Sequence, residues 1–474
     1  MSDWIVTIGL EVHCELKTES KLFCSCPNVF GGEPNSHTCP ICSGHPGVMP
    51  VLNRRAVEYT VRAGCAIGSK ISRYSKWDRK NYFYPDLPKA WQTSQYDLPL
   101  CVGGEVKIDV DGEEKTIRLN RIHLEEDAGK LVHSGGVTAV DYNRCGVPLI
   151  ECVTEPDIHS ADEAVAFIEE LAGIFRYAGI SDCKMQEGSI RADVNLSVAR
   201  PGEPLGTRTE TKNLNSLRSV RRAIEAEIAR QTELLESGGK VVQETRHFDD
   251  ATGTGYGMRS KEDAQDYRYF PEPDLMPVVM TDDDVERIRA SLPEMRRARK
   301  ARYMSELGLV EYDADQLTSD PALADLFEST LAGGANPKKA ANYIMSEIMR
   351  KGKTEGEDGV TVGVSGVQLA ELLALVEKGE LNLVASRNVL DRIWQTDVSA
   401  SAAVDELGLR QNNDTGEIEK LVRDIIAENP GPAEDFRNGN EKVLSFFVGR
   451  LMKATKGKTN PKIAGDLVRK ILSE

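Results

Sequence analysis

Near the N-terminus, "TIGLEVHCEL" (7–16) alternates between apolar and small or ionisable residues. Successive side chains of a strand point to opposite faces. A strand therefore puts Ile8, Leu10, Val12, Cys14 and Leu16 on one side and Gly9, Glu11, His13 and Glu15 on the other. The same device recurs in "SIRADVNLSV", where Ile190, Ala192, Val194 and Leu196 oppose Arg191, Asp193 and Asn195. In "GTRTETKNLNS", Arg208, Glu210 and Lys212 share a face; in "RIHLEEDAGK", His123, Glu125 and Asp127 do, with Glu126 reversed. Glu151 stands alone inside apolar "PLIECV". The chain must therefore build a sheet with one face on the core and the other lined with ionisable groups.

For any one of these strands, a solvated face of an antiparallel sheet is a sufficient reading. Taken together they say more. Wet faces favour Thr, Ser and Lys, whereas carboxylates, Arg, Asn and His are costly in strands unless paired. Interleaved carboxylates and cations suit Mg²⁺ and a transferring phosphoryl group, the oxygens holding the metal and Arg or Lys the phosphate charge. No standard nucleotide motif competes. Gly457-Lys458-Thr459 resembles the end of a phosphate-binding loop, but its upstream glycine position is Met452. "GTGYG" fails the dinucleotide spacing, no His-Glu-x-x-His is present, and no Gly-Ser-Ser-rich segment equips the chain to hydrolyse an amide itself.

Cys24, Cys26, Cys39 and Cys42 form Cys-x-Cys, twelve residues, then Cys-x-x-Cys. Two close pairs across a short loop can close around Zn²⁺ with all four positions taken by sulfur, a structural arrangement. Pro27 and Pro40 stiffen the two turns, His37 is a possible substitute ligand, and four free thiols are the alternative. Cys14, Cys65, Cys101, Cys145, Cys152 and Cys183 read as buried small hydrophobes. Every Cys and His lies at or before His247, which assigns metal and acid–base chemistry to the first half.

A 474-residue chain of 28% charged and 40% hydrophobic residues is an ordinary globular protein of about three domains. Strands with inserted helices, one capped at Ser160, predict an α+β first domain over 1–293, with a hairpin turn at Asp111-Gly112. "DATGTGYGMRS" (250–260) reads as a mobile loop. Helical texture follows, predicting a helical domain over 294–407 and a helical tail over 408–474. Neither a membrane-spanning run nor a basic leader is evident, so the expected location is the cytosol. The net charge of −16 argues against a general nucleic-acid coat. Residues 441–474, however, carry eight Lys/Arg against three acids, concentrated in "RLMKATKGKTNPK". That is a basic end suited to a phosphate backbone or a solvated helix face. "RRARKAR" (296–302) is a weaker second candidate, read first as a solvated helix near the domain junction.

"GLEVHCEL", "CPICSGHPGVMPVLN", "KNYFYPDLPKAWQTSQYD", "RIHLEEDAGK", "DYNRCGVPLIECVTEPD", "EGSIRADVN", "GTRTETKNLNS" and "DYRYFPEPDLMP" occur in that order. With them the whole chain resembles the B-subunit family of aspartyl/glutamyl-tRNA amidotransferases (GatB). The resemblance implies an antiparallel-sheet cradle related to glutamine synthetase and guanidino kinases, followed by all-α helical and tail domains. It implies an ATP-dependent ligase that phosphorylates the side-chain carboxylate of Glu-tRNA(Gln) or Asp-tRNA(Asn) and amidates it. The ammonia comes from a partner amidase, and a small third protein completes a heterotrimer.

On this resemblance Glu11, His13, Glu125 and Glu151 form the Mg²⁺ and ATP end, and Asp193 and Glu210 handle metal or ammonia. Arg191, Arg208, Lys212 and Arg268 hold phosphate charge, and the four cysteines carry zinc. Lys453, Lys456, Lys458 and Lys462 meet the tRNA. Two other readings are a carboxylate–amine ligase for a small metabolite and a non-catalytic tRNA-presenting scaffold.

Overall fold

The computed structural model describes residues 4–260, 267–353, 359–411, 415–455 and 459–474, without the side chains of 259–260 and 461–462. Contacts divide the chain into Met1–Arg299 and Lys300–Glu474.

The first unit is α+β and is organised by a ten-stranded sheet. Its centre is Ile5–Glu15, paired antiparallel with Ile190–Ala199 on one side and Pro148–Thr154 on the other. Beyond Pro148–Thr154 come Glu113–Glu126, Cys101–Val102 and Lys70–Ile71. Beyond Ile190–Ala199 come Thr209–Lys212, Glu244–Asp249 and Thr254–Ser260. Glu105–Val110 joins Glu113–Glu126 through Asp111-Gly112. Both turn residues have positive φ, 54° and 83°, as the expected two-residue hairpin requires.

The alternation does what the sequence predicts. Ile8, Leu10, Val12, Cys14 and Leu16 are at most 1% exposed. They share one apolar core with Phe167, Leu171 and Phe175 of helix Ala161–Tyr177 and with Val220, Ala223 and Ile224 of helix Leu217–Glu236. Ser160 caps the first helix by accepting from the Glu163 amide, and Ser216 caps the second through Ser219. The ionisable residues are thereby turned to the opposite face. A small sheet (Phe270–Pro271, Asp78–Asn81, Trp91–Ser94) borders that face through contacts between Trp91–Ser94 and Glu113–Glu126.

Two expectations are corrected. The main sheet is not purely antiparallel: Thr209–Lys212 runs parallel to Glu244–Asp249. A parallel pair needs a long crossover, and helix Leu217–Glu236 is that crossover. Within "DATGTGYGMRS", Thr254–Ser260 is not a loop but the return strand of a hairpin with Glu244–Asp249. Its glycines answer to packing: a Cβ on Gly257 would meet Glu244 Oε2 at 2.6 Å. Arg246 donates to the Gly255 carbonyl and holds the edge.

The second unit is built of helices around two apolar clusters. One includes Tyr303, Phe327, Leu369 and Val389; the other includes Val422, Phe447, Leu451 and Val468. No helix among the described residues is long and apolar enough to cross a membrane. Of the basic segment "RRARKAR", Arg296 and Arg297 are engaged with Glu170, and Arg297 also with Asp109 and Glu114.

Candidate active site

Strand register brings the predicted residues together. His13 stands opposite Arg191 on one neighbouring strand and Glu151 on the other, and Glu151 stands opposite His123. Arg191, His13, Glu151 and His123 thus form one row across four strands. Two residues along the central strand, Glu11 pairs with Asp193.

His13 is the hub. Its Nδ1 lies 3.7 Å from Glu125 and 4.0 Å from Glu151, and its Nε2 lies 3.7 Å from Asp193. His123 Nε2 reaches the same two glutamates, at 3.4 Å from Glu125 and 3.5 Å from Glu151. Ser94 donates to Glu125 at 3.1 Å, and Asn195 donates to Glu11 at 2.9 Å. Lys212 bridges Asp193 and Glu210, the latter at 2.8 Å, and Thr245 donates to Glu210 at 2.9 Å.

Two sets of ligand atoms, Glu11/His13/Asp193 and His13/Glu125/Glu151, each lie within 4.8 Å of one another. Carboxylate oxygens at that spacing can hold one or two hard divalent cations.

Protonation follows the charge. Desolvation would lower the pKa of His13, but the carboxylates of Asp193, Glu125 and Glu151 gathered around the ring push it up to about 10. Desolvation raises Glu11, reinforced by Glu151 and Glu210. Glu125 and Asp193, though buried, are held below the usual carboxylate range, Glu125 by His123 and His13 and Asp193 by His13 and Lys212. A carboxyl forced upward beside others forced downward marks a cluster with more negative charge than its cations neutralise, a setting that favours a divalent cation.

The His13 shift carries a stability signature. Its folded pKa exceeds the ordinary value of 6.5, so its contribution is complete below about pH 6.5 and is lost as pH rises through about 10. In magnesium-free buffer the melting-temperature gap between wild type and His13→Gln should be widest below pH 6.5 and shrink toward pH 10. A gap that widens with pH contradicts the assignment.

The predicted cations divide. Lys212 sits in the cluster. Arg191 donates to Asp127 at 2.8 Å, so its charge is engaged beside the row. Arg208 precedes its strand and is exposed, and no hydrogen bond or ion pair ties it to the described residues of the cluster. Arg268 is exposed with φ 44°, and its carbonyl accepts from Asn81 at 2.8 Å.

Two members absent from the predicted set are His123 and Lys80. The alternation of "RIHLEE" already put His123 on the Glu125 face. Lys80, on the small sheet, is raised by Glu125, Tyr269 and Glu151 against the desolvation that would lower it. No strand pattern signals its approach, because it comes from a different sheet.

The four cysteines also converge. All four Sγ atoms lie within 4.8 Å, with Cys39 and Cys42 3.9 Å apart. A tetrahedral Zn²⁺ with bonds of about 2.3 Å needs sulfurs about 3.8 Å apart, so the donor set fits. Lys21, fully buried, donates to Cys42 Sγ at 3.6 Å and to the His37 carbonyl at 2.8 Å, supplying positive charge beside the thiols. His37 is not in the converging set. Of the remaining cysteines five are buried and Cys65 is half-buried.

At the basic tail, Lys453 lies in the last turn of helix Leu444–Ala454. Lys456 and Lys458 lie outside the described residues, as does the side chain of Lys462.

A carboxylate-lined sheet face flanked by lysines has the donors to hold a divalent cation and the positive charge to meet phosphate. Residues 6–286 match the family model described as the GatB/GatE catalytic domain, and residues 325–472 match the GatB domain. A curated protein of Caldicellulosiruptor saccharolyticus is 52% identical over 100% of both chains. One of Geobacter sulfurreducens is 53% identical over 98% of both, and one of Geotalea daltonii is 50% identical over 99% of both. Each bears the name of the B-subunit of aspartyl/glutamyl-tRNA(Asn/Gln) amidotransferase. The chain belongs to the GatB family.

Proposed function

We propose that this chain is the transamidating subunit of a tRNA-dependent amidotransferase, an ATP-dependent carbon–nitrogen ligase acting in a complex. Its substrate is the side-chain carboxylate of Glu-tRNA(Gln) or Asp-tRNA(Asn). That carboxylate is a poor electrophile because its leaving group would be oxide. A carboxylate oxygen attacks the γ-phosphorus of ATP, ADP departs, and an acyl phosphate forms. Ammonia then attacks the acyl carbon, phosphate leaves with the C–O electrons, and nitrogen loses a proton. The convergence of Glu11, Glu125, Glu151 and Asp193 around His13 carries this reading.

Those carboxylates would hold Mg²⁺, which when bound screens the ATP phosphates from the incoming anion. Lys212 and Lys80 offer positive charge to phosphate and carboxylate oxygens. The cysteine clamp would hold a structural zinc. A partner amidase makes the ammonia from glutamine, a small third protein joins the two, and the basic tail with Lys453, Lys456, Lys458 and Lys462 meets the tRNA. The catalytic, helical and tail domains are 1–293, 294–407 and 408–474, and the complex works in the cytoplasm.

The test supplies the assembled complex with ATP, a mischarged tRNA and ammonium chloride in place of glutamine. Amide formation should track ADP release one to one. Amide without ATP consumption, or ATP turnover indifferent to the aminoacyl group, sinks the proposal.

A further inference from the structure

Beside the carboxylates lies a chain of four tyrosines that the strand faces leave out. Tyr96 and Tyr269 are stacked, 4.3 Å between centroids and 12° between planes. Tyr269 meets Tyr267 edge-on at 6.1 Å, and Tyr267 meets Tyr82 edge-on at 5.9 Å. Lys80 Nζ sits 4.9 Å from the Tyr267 ring and 6.0 Å from that of Tyr82. Among the described residues its ammonium makes no hydrogen bond or ion pair, and none of the four phenol hydroxyls has a hydrogen-bond partner.

The position of this chain is informative. Tyr96 is 61% exposed, so one face of the stack is open to solvent. It is two residues from Ser94, whose hydroxyl holds Glu125. Its own amide donates to buried Asp78 at 3.0 Å, which anchors the backbone beneath the ring. An open aromatic face, an ammonium that contacts no carboxylate and the Glu125/Glu151 end of the carboxylate cluster thus lie side by side. Aromatic faces of this kind bind bases, because every base has a π-face. That ammonium, in the field of Glu125 and Glu151 but touching neither, suits a carboxylate or phosphate attached to the same ligand.

We propose that the open face of Tyr96, backed by Tyr269, is a stacking site for a nucleobase, whose attached anionic group is led to Lys80 and the carboxylates. This rests on the reaction proposed above for the identity of that group. The shared chemistry is a nucleobase with an anionic group attached. It could be the adenine of ATP or a base at the unpaired 3′ end of the aminoacylated RNA.

The test compares Tyr96→Ala and Tyr96→Phe with wild type. Equilibrium binding to the full-length chain uses ATP and a short unpaired ribo-oligonucleotide as separate probes, and KM and kcat are measured in the assembled complex. Tyr96→Ala should weaken one probe and raise the matching KM about tenfold, with the loss falling on KM rather than kcat. Tyr96→Phe, which keeps the ring, should resemble wild type. A shift confined to the oligonucleotide and tRNA assigns the base to RNA, and one confined to ATP assigns it to the nucleotide. Unchanged binding of both probes overturns the proposal, as does equal damage in both variants. The binding arm needs no turnover, so a complex that fails to amidate refutes the proposed reaction without deciding the stacking site.

Discussion

Glu125→Gln should reduce ammonium-supported, ATP-dependent amidation about 10²–10³-fold while the partner's glutaminase stays within about twofold of normal. Glu125 is 2% exposed and lies against His123 and His13 at 3.4 and 3.7 Å. The amide keeps the shape and can still accept from Ser94, so the chain should fold. It removes the charge that His123, His13 and Lys80 share and, with it, one ligand of the proposed Mg²⁺. A near-normal amidation rate in a correctly melting variant would falsify the assignment of this face to phosphoryl transfer. A matching loss of glutaminase activity would point to a broken complex instead.

Cys42→Ser should take zinc from one per chain to well below one. It should also lower the thermal transition of the first unit, Met1–Arg299, by about 5 °C, the shift expected from about 3 kcal/mol in a unit of that size. The clamp is tied to the site by packing and backbone hydrogen bonds through Gly146. Gly146 holds φ 83°, and a Cβ there would touch Cys42 Cβ at 3.4 Å. The Gly146 amide donates to the Asp127 carbonyl, and the Gly146 carbonyl accepts from Leu22. Loosening the cysteine loop should therefore disturb Asp127 and its partner Arg191 before it reaches His13. Atomic absorption on wild type and variant checks the first claim and calorimetry the second. Wild-type protein without zinc, or a variant that keeps it, removes the basis for the clamp.

What could be read from the sequence follows from the range of the interaction. The opening strand was legible residue by residue because alternation is local, and the geometry agrees at every apolar position from Ile8 to Leu16. Alternation also gathered Glu125, Asp193 and Lys212 correctly, since their strands all turn the same face outward. It misjudged Arg208, which lies one residue before its strand begins, where the pleat does not yet constrain it. It overlooked Lys80, whose approach depends on how a second sheet is seated. "GTGYG" looked like a loop because glycine weakens any strand signal. Gly257 instead makes room for Glu244 of the neighbouring strand, and Gly253, with φ 71°, makes the turn.

The row of Arg191, His13, Glu151 and His123 across four adjacent strands makes the site intolerant of insertions and deletions. Removing a single residue between Ile5 and Glu15 would not merely shift the hub along its strand. It would turn Glu11 and His13 into the apolar core and send Leu10 and Val12 to the charged face. Such a change has no graded intermediate, so length variation in this family should be confined to the hairpin ends and helix connections, with the central strand fixed in length.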